Sequence, residues 1–330
     1  MSPRKKVFFL FLDGVGLGAN DPAANPFAAA AMPNLESLLG GHKLVLDAPQ
    51  SGDESAMVIS EKGTFLAMDA CMGIEGLPQS ATGQAALLTG KNVSAWLGEH
   101  EGPKPSPPIV EVLRQGTLFS QLRLQGKTVE FLNAYPPRYF ESIERDYHIP
   151  GVIALSAKMA GLHLKTENDL FAGRALSADF TGEGWRSHLG YPDTPLLSPS
   201  QVGERLVELA SQADLAMFEY WLTDVAGHHQ DLPAALAILE TLDEVLGSLG
   251  RAWDDEAGLV LVTSDHGNLE DLRTRHHTRN DVPLLLIGSQ AARDEFLDGL
   301  PNTCRSKPDL TAITPAIMKY ISDTPLRRAN

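Results

Sequence analysis

The residues best suited to do chemistry lie in TSDHGN, Thr263 to Asn268, where an oxygen donor, Asp265, stands beside an imidazole, His266. Gly267 lets the chain turn sharply after them. RHHT, Arg275 to Thr278, adds a second pair of imidazoles a few residues later. Carboxylate oxygens and imidazole nitrogens brought together are a donor set for a divalent metal ion. The plain alternative is a solvated turn that contains Asp and His. TDVAGHH, Thr223 to His229, carries Asp224 and His228 four apart, so one helical turn or a tight loop puts both on the same side. Asp224, His228 and one of His276 and His277 would make a nitrogen-and-oxygen set for one ion. Asp13, Asp265 and His266, with a hydroxyl, would make a second. Two ions roughly 3.5–4 Å apart can clamp the attacking and leaving oxygens of an in-line phosphoryl displacement.

Hydroxyls are supplied by Ser80 and Thr82, at the start of the apolar stretch in GLPQSATGQAALLTG. Capping a helix is the commonest work of such a group. It can also be a nucleophile, facing an anion held by free backbone N–H groups. A serine bound to a metal loses its proton more easily. Taken singly, each Asp reads equally as a helix cap and each His as a satisfied core residue; His229 and His276 read as such structural neighbours. Single readings leave unexplained why the strand ends along one edge all carry ligand-type residues.

The elements that position these residues follow from apolar runs bounded by turn formers. Val7 to Leu12 ends in DGVGLG, with Asp13 at its C-terminal end, and reads as a buried strand. Its glycines lack the spacing of a dinucleotide fingerprint. Thr64 to Ala70, Thr128 to Leu132, Ala213 to Tyr220, Gly258 to Val262 and Val282 to Ile287 read as further strands. Met32 to Leu39, Leu118 to Gly126, Leu232 to Leu249 and Asp309 to Ile321 read as helices, the last capped by Asp309. Strands alternating with helices predict a parallel sheet covered on both faces, with ligand sites past the carboxyl ends of the strands. The proline-rich GPKPSPP, Gly102 to Pro108, predicts a surface loop and a candidate pocket rim. From Asn133 to about Ser200 the pattern weakens, which predicts an insertion or small lid over the strand ends.

With 43% hydrophobic and 21% charged residues in 330, the chain is an ordinary globular one. Its net charge of −15 argues against nucleic acid or an anionic membrane as partner, though bound metal can reverse the field locally. Arg4-Lys5-Lys6 before VFFLFL resembles the start of a signal peptide, but the run is short and no cleavage site follows. No stretch approaches the roughly 18 apolar residues of a membrane span. Two cysteines, Cys71 and Cys304, suit a reducing compartment, although one bridge between them is conceivable, and the expected location is cytoplasmic.

FLDGVGLG, PQSATGQAALLTG, TDVAGHH, TSDHGN and RHHTRNDVPLLL resemble, in that order, the metal and nucleophile motifs of the alkaline phosphatase superfamily. They are most similar to its metalloenzyme branch, which contains cofactor-independent phosphoglycerate mutase and phosphopentomutase. The resemblance runs from Asp13 to Pro283. It implies a three-layer α/β/α sandwich with a mostly parallel central sheet, built as a single domain over 1–330 with a small inserted lid at about 133–200. It further implies two divalent ions, Mn²⁺ or Zn²⁺: one held by Asp13, Ser80, Asp265 and His266, the other by Asp224, His228 and His277. Ser80 would be phosphorylated during turnover, with Thr82 the reserve nucleophile. His277 is preferred to His276 because the family pattern H-T-x-N-x-V-P reads here from His277 to Pro283.

Departures bear on the substrate. Gly83-Gln84 stands where the mutases have Gly-His, and Ala81 where phosphoglycerate mutases have an acidic residue. The large inserted domains that enclose the mutases' substrate are missing, which favours water as phosphoryl acceptor. The expected activity is a phosphomonoester hydrolase acting through phosphoserine on a small phosphorylated metabolite. The alternatives are a phosphomutase, a phosphodiesterase and a non-catalytic metal or phosphate sensor. Arg275, Arg279 and Lys91 are candidate substrate-phosphate ligands, against the reading of each as a solvated surface charge.

Overall fold

The apolar run after Lys6 has no polar face, so it requires cover on both sides, and it becomes the middle of a sheet. The structure, a computed structural model, describes residues 5–46, 57–145, 149–301 and 307–322; Arg4 and Cys304 lie outside them. Its strands are β1 (Lys6–Leu12), β2 (Met57–Ile59), β3 (Gly63–Met68), β4 (Val129–Phe131), β5 (Ala134–Tyr135), β6 (Lys165–Thr166), β7 (Leu215–Tyr220), β8 (Gly258–Thr263) and β9 (Val282–Ile287). Seven form one sheet in the order β2-β3-β9-β8-β1-β7-β4, while β5 and β6 pair separately.

The sheet is mostly parallel by direction. β8, β1, β7 and β4 pair in parallel, β3 runs the same way, and β9 and β2 oppose them. Sequence alternation extends the parallel expectation to VPLLLI, yet β9 returns antiparallel beside β8. The connection, residues 264–281, contains no helix, and a parallel return needs such a crossover. That loop carries three of the seven candidate ligands, Asp265, His266 and His277.

Alternate residues of β1 enter two different cores, which establishes the three layers. Val7, Phe9 and Phe11 pack with the helices Ser80–Thr89, Leu118–Leu124, Val152–Met159 and Ile313–Ser322. Phe8, Leu10 and Leu12 pack with Pro33–Leu38, Pro199–Ala210 and Leu232–Ala252. The C-terminal helical segment begins as a 3₁₀ turn, Leu310–Ala312, and Asp309 caps it by accepting from the Thr311 amide, as its sequence position suggests.

Between 133 and 200 the chain makes short helices and the β5–β6 pair. Ala134, Leu170, Ala175 and Trp185 form a small core there. The same region is anchored to the main domain, because Val152, Ile153 and Ala157 belong to the first core and Phe180 stacks on Tyr220 at 4.2 Å. No helix among the described residues is long and apolar enough to cross a membrane.

Candidate metal centre and nucleophile

Parallel register brings three strand ends together. Leu12 pairs with Tyr220 and Phe11 with Thr263, so Asp13, the turn leading to Asp224, and Asp265-His266 emerge side by side. Gly14 has φ +68, and a Cβ there would lie 2.6 Å from Asp224 Oδ1, so only glycine lets these ends approach. The loop is braced locally: Ser264 Oγ accepts from the Val15 amide at 2.9 Å and donates to the His266 carbonyl at 3.0 Å. Asp224 and His228 lie one turn apart on the helix Leu222–His229, with His228 Nε2 3.2 Å from Asp224 Oδ2.

Ser80 is the first residue of a helix buried along its whole length, and the N-cap is Gln79. The capping reading of the Ser80 hydroxyl does not describe its contact: Ser80 Oγ lies 3.0 Å from His266 Nε2. The helix reaches so far in because Gly83 has no side chain; a Cβ would sit 2.8 Å from the Asp265 carbonyl oxygen. Thr82 is fully buried and its hydroxyl donates to the carbonyls of Gln79 and Glu101, which ties it to the loop before Pro103.

All seven sequence-derived ligand candidates converge here. Asp224, His228 and His277 can each present a ligand atom within 4.8 Å of the others, and so can Asp13, Asp224 and His266. Asp224 therefore sits between the two groups. Asp265 Oδ2 is 3.6 Å from His266 Nε2. His277 Nδ1 donates to the Pro78 carbonyl at 2.8 Å and His228 Nδ1 to the Arg275 carbonyl at 2.6 Å. Those contacts leave the two Nε2 atoms facing one another, 3.3 Å apart. Asp13 Oδ1 is buried with no hydrogen-bond partner. Converging lone pairs and carboxylate oxygens fit a cation, and the carbonyl bonds fix the imidazoles as metal ligands require.

The electrostatics carry the same sign. Burial, then repulsion from Asp265, Asp224 and Glu219, pushes the Asp13 carboxyl well above its usual range. Burial and Asp224 raise Asp265 likewise. Burial, then Asp265, pushes Glu219 up to about 7, against the attraction of Lys104. Burial and the neighbouring His277 push His266 down to about 3, leaving it neutral. Crowded carboxylates and neutral imidazoles make a site that gains from divalent charge.

A family model described as the metalloenzyme superfamily matches residues 175–323, which include Asp224, His228, Asp265, His266 and His277. The chain is similar to the 2,3-bisphosphoglycerate-independent phosphoglycerate mutase of Moorella thermoacetica, 33% identical over 103 residues, 29% of this chain and 20% of that protein. It resembles the enzyme of the same name from Thiobacillus denitrificans at 27% identity over 262 residues, 74% of this chain and 51% of that one. The chain thus spans about half or less of the length of these curated relatives. Alkaline phosphatase from the Antarctic bacterium TAB5 shares the fold, with TM-score 0.52 and 13% identity over 97% of this chain and 98% of that one.

Residues 175–323, just under half of the chain, thus resemble the metalloenzyme superfamily. Asp13, Ser80 and Asp224 line one end of a cavity of about 700 Å³. The other walls come from Pro103 and Lys104, from Asn133 to Pro136, from Arg138 and Tyr139, and from Trp185, Leu189 and Trp221. The sequence-derived substrate cations lie elsewhere. Arg275 and Arg279 are exposed outside this lining. Lys91 follows the far end of the Ser80 helix, about 15 Å along its axis, and donates to Gln115 at 2.8 Å. The cations in the lining are Lys104 and Arg138. Sequence reasoning missed them as ligands because neither adjoins a motif, although the Pro-rich stretch marks the rim that carries Lys104.

Three further polar side chains buttress the ligands. Gln84 donates to Asp265 Oδ2 at 3.0 Å and to Asp13 Oδ2 at 3.4 Å, so the departure at Gly83-Gln84 places an amide across two carboxylates. Asn268 donates to Asp224 Oδ1 at 2.8 Å. Glu270 accepts from the Gly16 amide at 2.9 Å, the Asn268 amide at 2.8 Å and the Thr278 hydroxyl, holding β1's turn to both halves of the loop. Asn268 and Glu270 follow TSDHG in the chain, which is the only sequence signal they give.

Proposed function

We propose that this protein is a phosphomonoester hydrolase working through a phosphoserine at Ser80. The observation that carries the reading is the Ser80 hydroxyl, 3.0 Å from His266 Nε2, at a helix N-terminus that opens into the cavity beside the six other convergent donors. Asp13, Ser80, Asp265 and His266 would hold one divalent ion and Asp224, His228 and His277 another, with Mn²⁺ and Zn²⁺ both suited to the donor set. When bound, such ions supply positive charge that favours the serine alkoxide and offsets charge on the leaving oxygen.

The residues of the chain do the rest. Ser80 Oγ forms a bond to phosphorus as the ester oxygen departs with a proton as an alcohol. Water then breaks the Ser80–phosphate ester, returning the serine and releasing inorganic phosphate. The helix N-terminus turns its dipole toward the phosphoryl oxygens. Gln84 and Asn268 keep the carboxylates in place, and Lys104, on the loop pinned to the same helix, adds a cation at the cavity wall. Residues 133–200 act as a lid over a single domain, and the two-cysteine composition supports a cytoplasmic location.

A phosphomutase using the same serine is the second reading, favoured by the names of the curated relatives. Metal-loaded protein and Ser80→Ala, assayed for free phosphate and for intact mass, separate them. The hydrolase releases phosphate and the variant loses at least about 1,000-fold in rate. Phosphorylated Ser80 with isomerised product and little free phosphate would favour the mutase. Absence of both turnover and bound metal would refute both readings.

A further inference from the structure

We propose that the leaving group accepted by this site is an apolar, ring-bearing alcohol seated against an aromatic wall, in preference to a polyol or a hydroxy acid. The proposal rests on the phosphomonoesterase reading above and names its substrate class.

The wall opposite the ligands is built from rings. Tyr135 and Tyr139 stack with centroids 4.2 Å apart and planes 23° from parallel, and Phe140 meets Tyr139 edge-on at 5.7 Å. Phe131, buried in the main core, backs Tyr135 at 6.2 Å, so the pair is held from behind. Trp185 and Leu189 continue the wall from the small core of the 133–200 region, and Trp221, 43% exposed, stands at the end of β7. A ring entering here finds faces and edges at the spacing aromatic pairs favour.

The buried polar side chains Asp13 and Ser80 stand at the other end. Gly102 packs against the backbone of Ser80, so the loop bearing Lys104 brings that cation to the phosphoryl end, where it also faces Glu219. Arg138 is exposed at the rim. A polyol hydroxyl laid on a ring face has no partner in that face, and each one left so weakens binding by roughly tenfold to a hundredfold. A hydroxy acid's carboxylate laid against the ring faces would lose its water without gaining a partner there. The cavity of about 700 Å³ is also of a size that suits a ring-bearing ligand, and a three-carbon phosphate fills only a fraction of it.

The test is the metal-loaded full chain with phenethyl, ethyl and glycerol phosphates, alkyl esters whose intrinsic reactivity is similar. kcat/KM for phenethyl phosphate is expected to exceed that for the other two by about 30-fold or more. Tyr139→Ala and Trp221→Ala are each expected to lower the phenethyl-to-ethyl ratio by about tenfold, chiefly through KM. The two substitutions lie on different elements, so one failing to fold leaves the other to decide. A ratio near one, a preference for glycerol phosphate, or a ratio unmoved by a folded variant overturns the substrate class alone. No phosphate from any ester overturns the hydrolase reading and this inference with it.

Discussion

The ligand end of the cavity hangs on the ends of β1, β7 and β8, whereas its far wall hangs on short helices between 133 and 200. At the ligand end Asp13, Ser80, Asp265, His266 and His277 are buried, Asp224 is half-buried and His228 is exposed; Asp265 and His266 have no exposure at all. At the far wall Tyr135, Tyr139 and Leu189 are half-buried, and contact is by ring faces. The first arrangement fixes donors to within a fraction of an ångström, as coordination and phosphoryl transfer demand. The second tolerates variation, as a leaving-group pocket does. Substitutions at the two ends should therefore fail in different ways.

The largest effect is expected at Asp224, which stands between both ligand groups. Asp224→Ala is expected to lose bound metal by elemental analysis and more than about 1,000-fold in kcat. Full metal content with only a KM change would show that the two ends are not built differently. An intermediate effect is expected on the rim. Lys104→Ala should lower kcat/KM by about 10–100-fold, whereas Lys91→Ala, bonded to Gln115 at the far end of the helix, should stay within about twofold. Equal losses at both positions would remove the argument from placement.

The smallest effect is on metal-free stability. Glu219 is raised from 4.5 to about 7, and Asp13 and Asp265 are raised as well. A raised folded-state pKa contributes stability that is present at low pH and lost as pH climbs through the folded value. In chelator, Tm should fall between pH 5 and pH 8 by on the order of 5 °C, and Glu219→Gln should flatten that slope. Divalent ions should restore Tm at pH 8 more than at pH 5, because the carboxyls must shed protons to bind them. A chelated protein that is more stable at pH 8 would sink this account.

Much of the architecture was legible in the chain because strong local signals write it. Short unbroken apolar runs bounded by turn formers, such as Val7–Leu12 and Gly258–Val262, read as strands buried on both faces. Asp224 and His228 converge through helical periodicity alone, and the glycines at 14 and 83 mark backbone approaches that other residues would block. Sequence motifs likewise singled out Asp13, Ser80, Asp265, His266 and His277 as candidates. Tertiary structure decided what spacing leaves open: that β9 returns antiparallel, that Asp224 sits between the two groups, and that Lys104 rather than Lys91 reaches the cavity. It also decided that Tyr135 and Tyr139 stack into a wall. These depend on which faces meet across the sheet and on how a weakly patterned segment folds back over it. Such long-range packing leaves no period in the sequence to read.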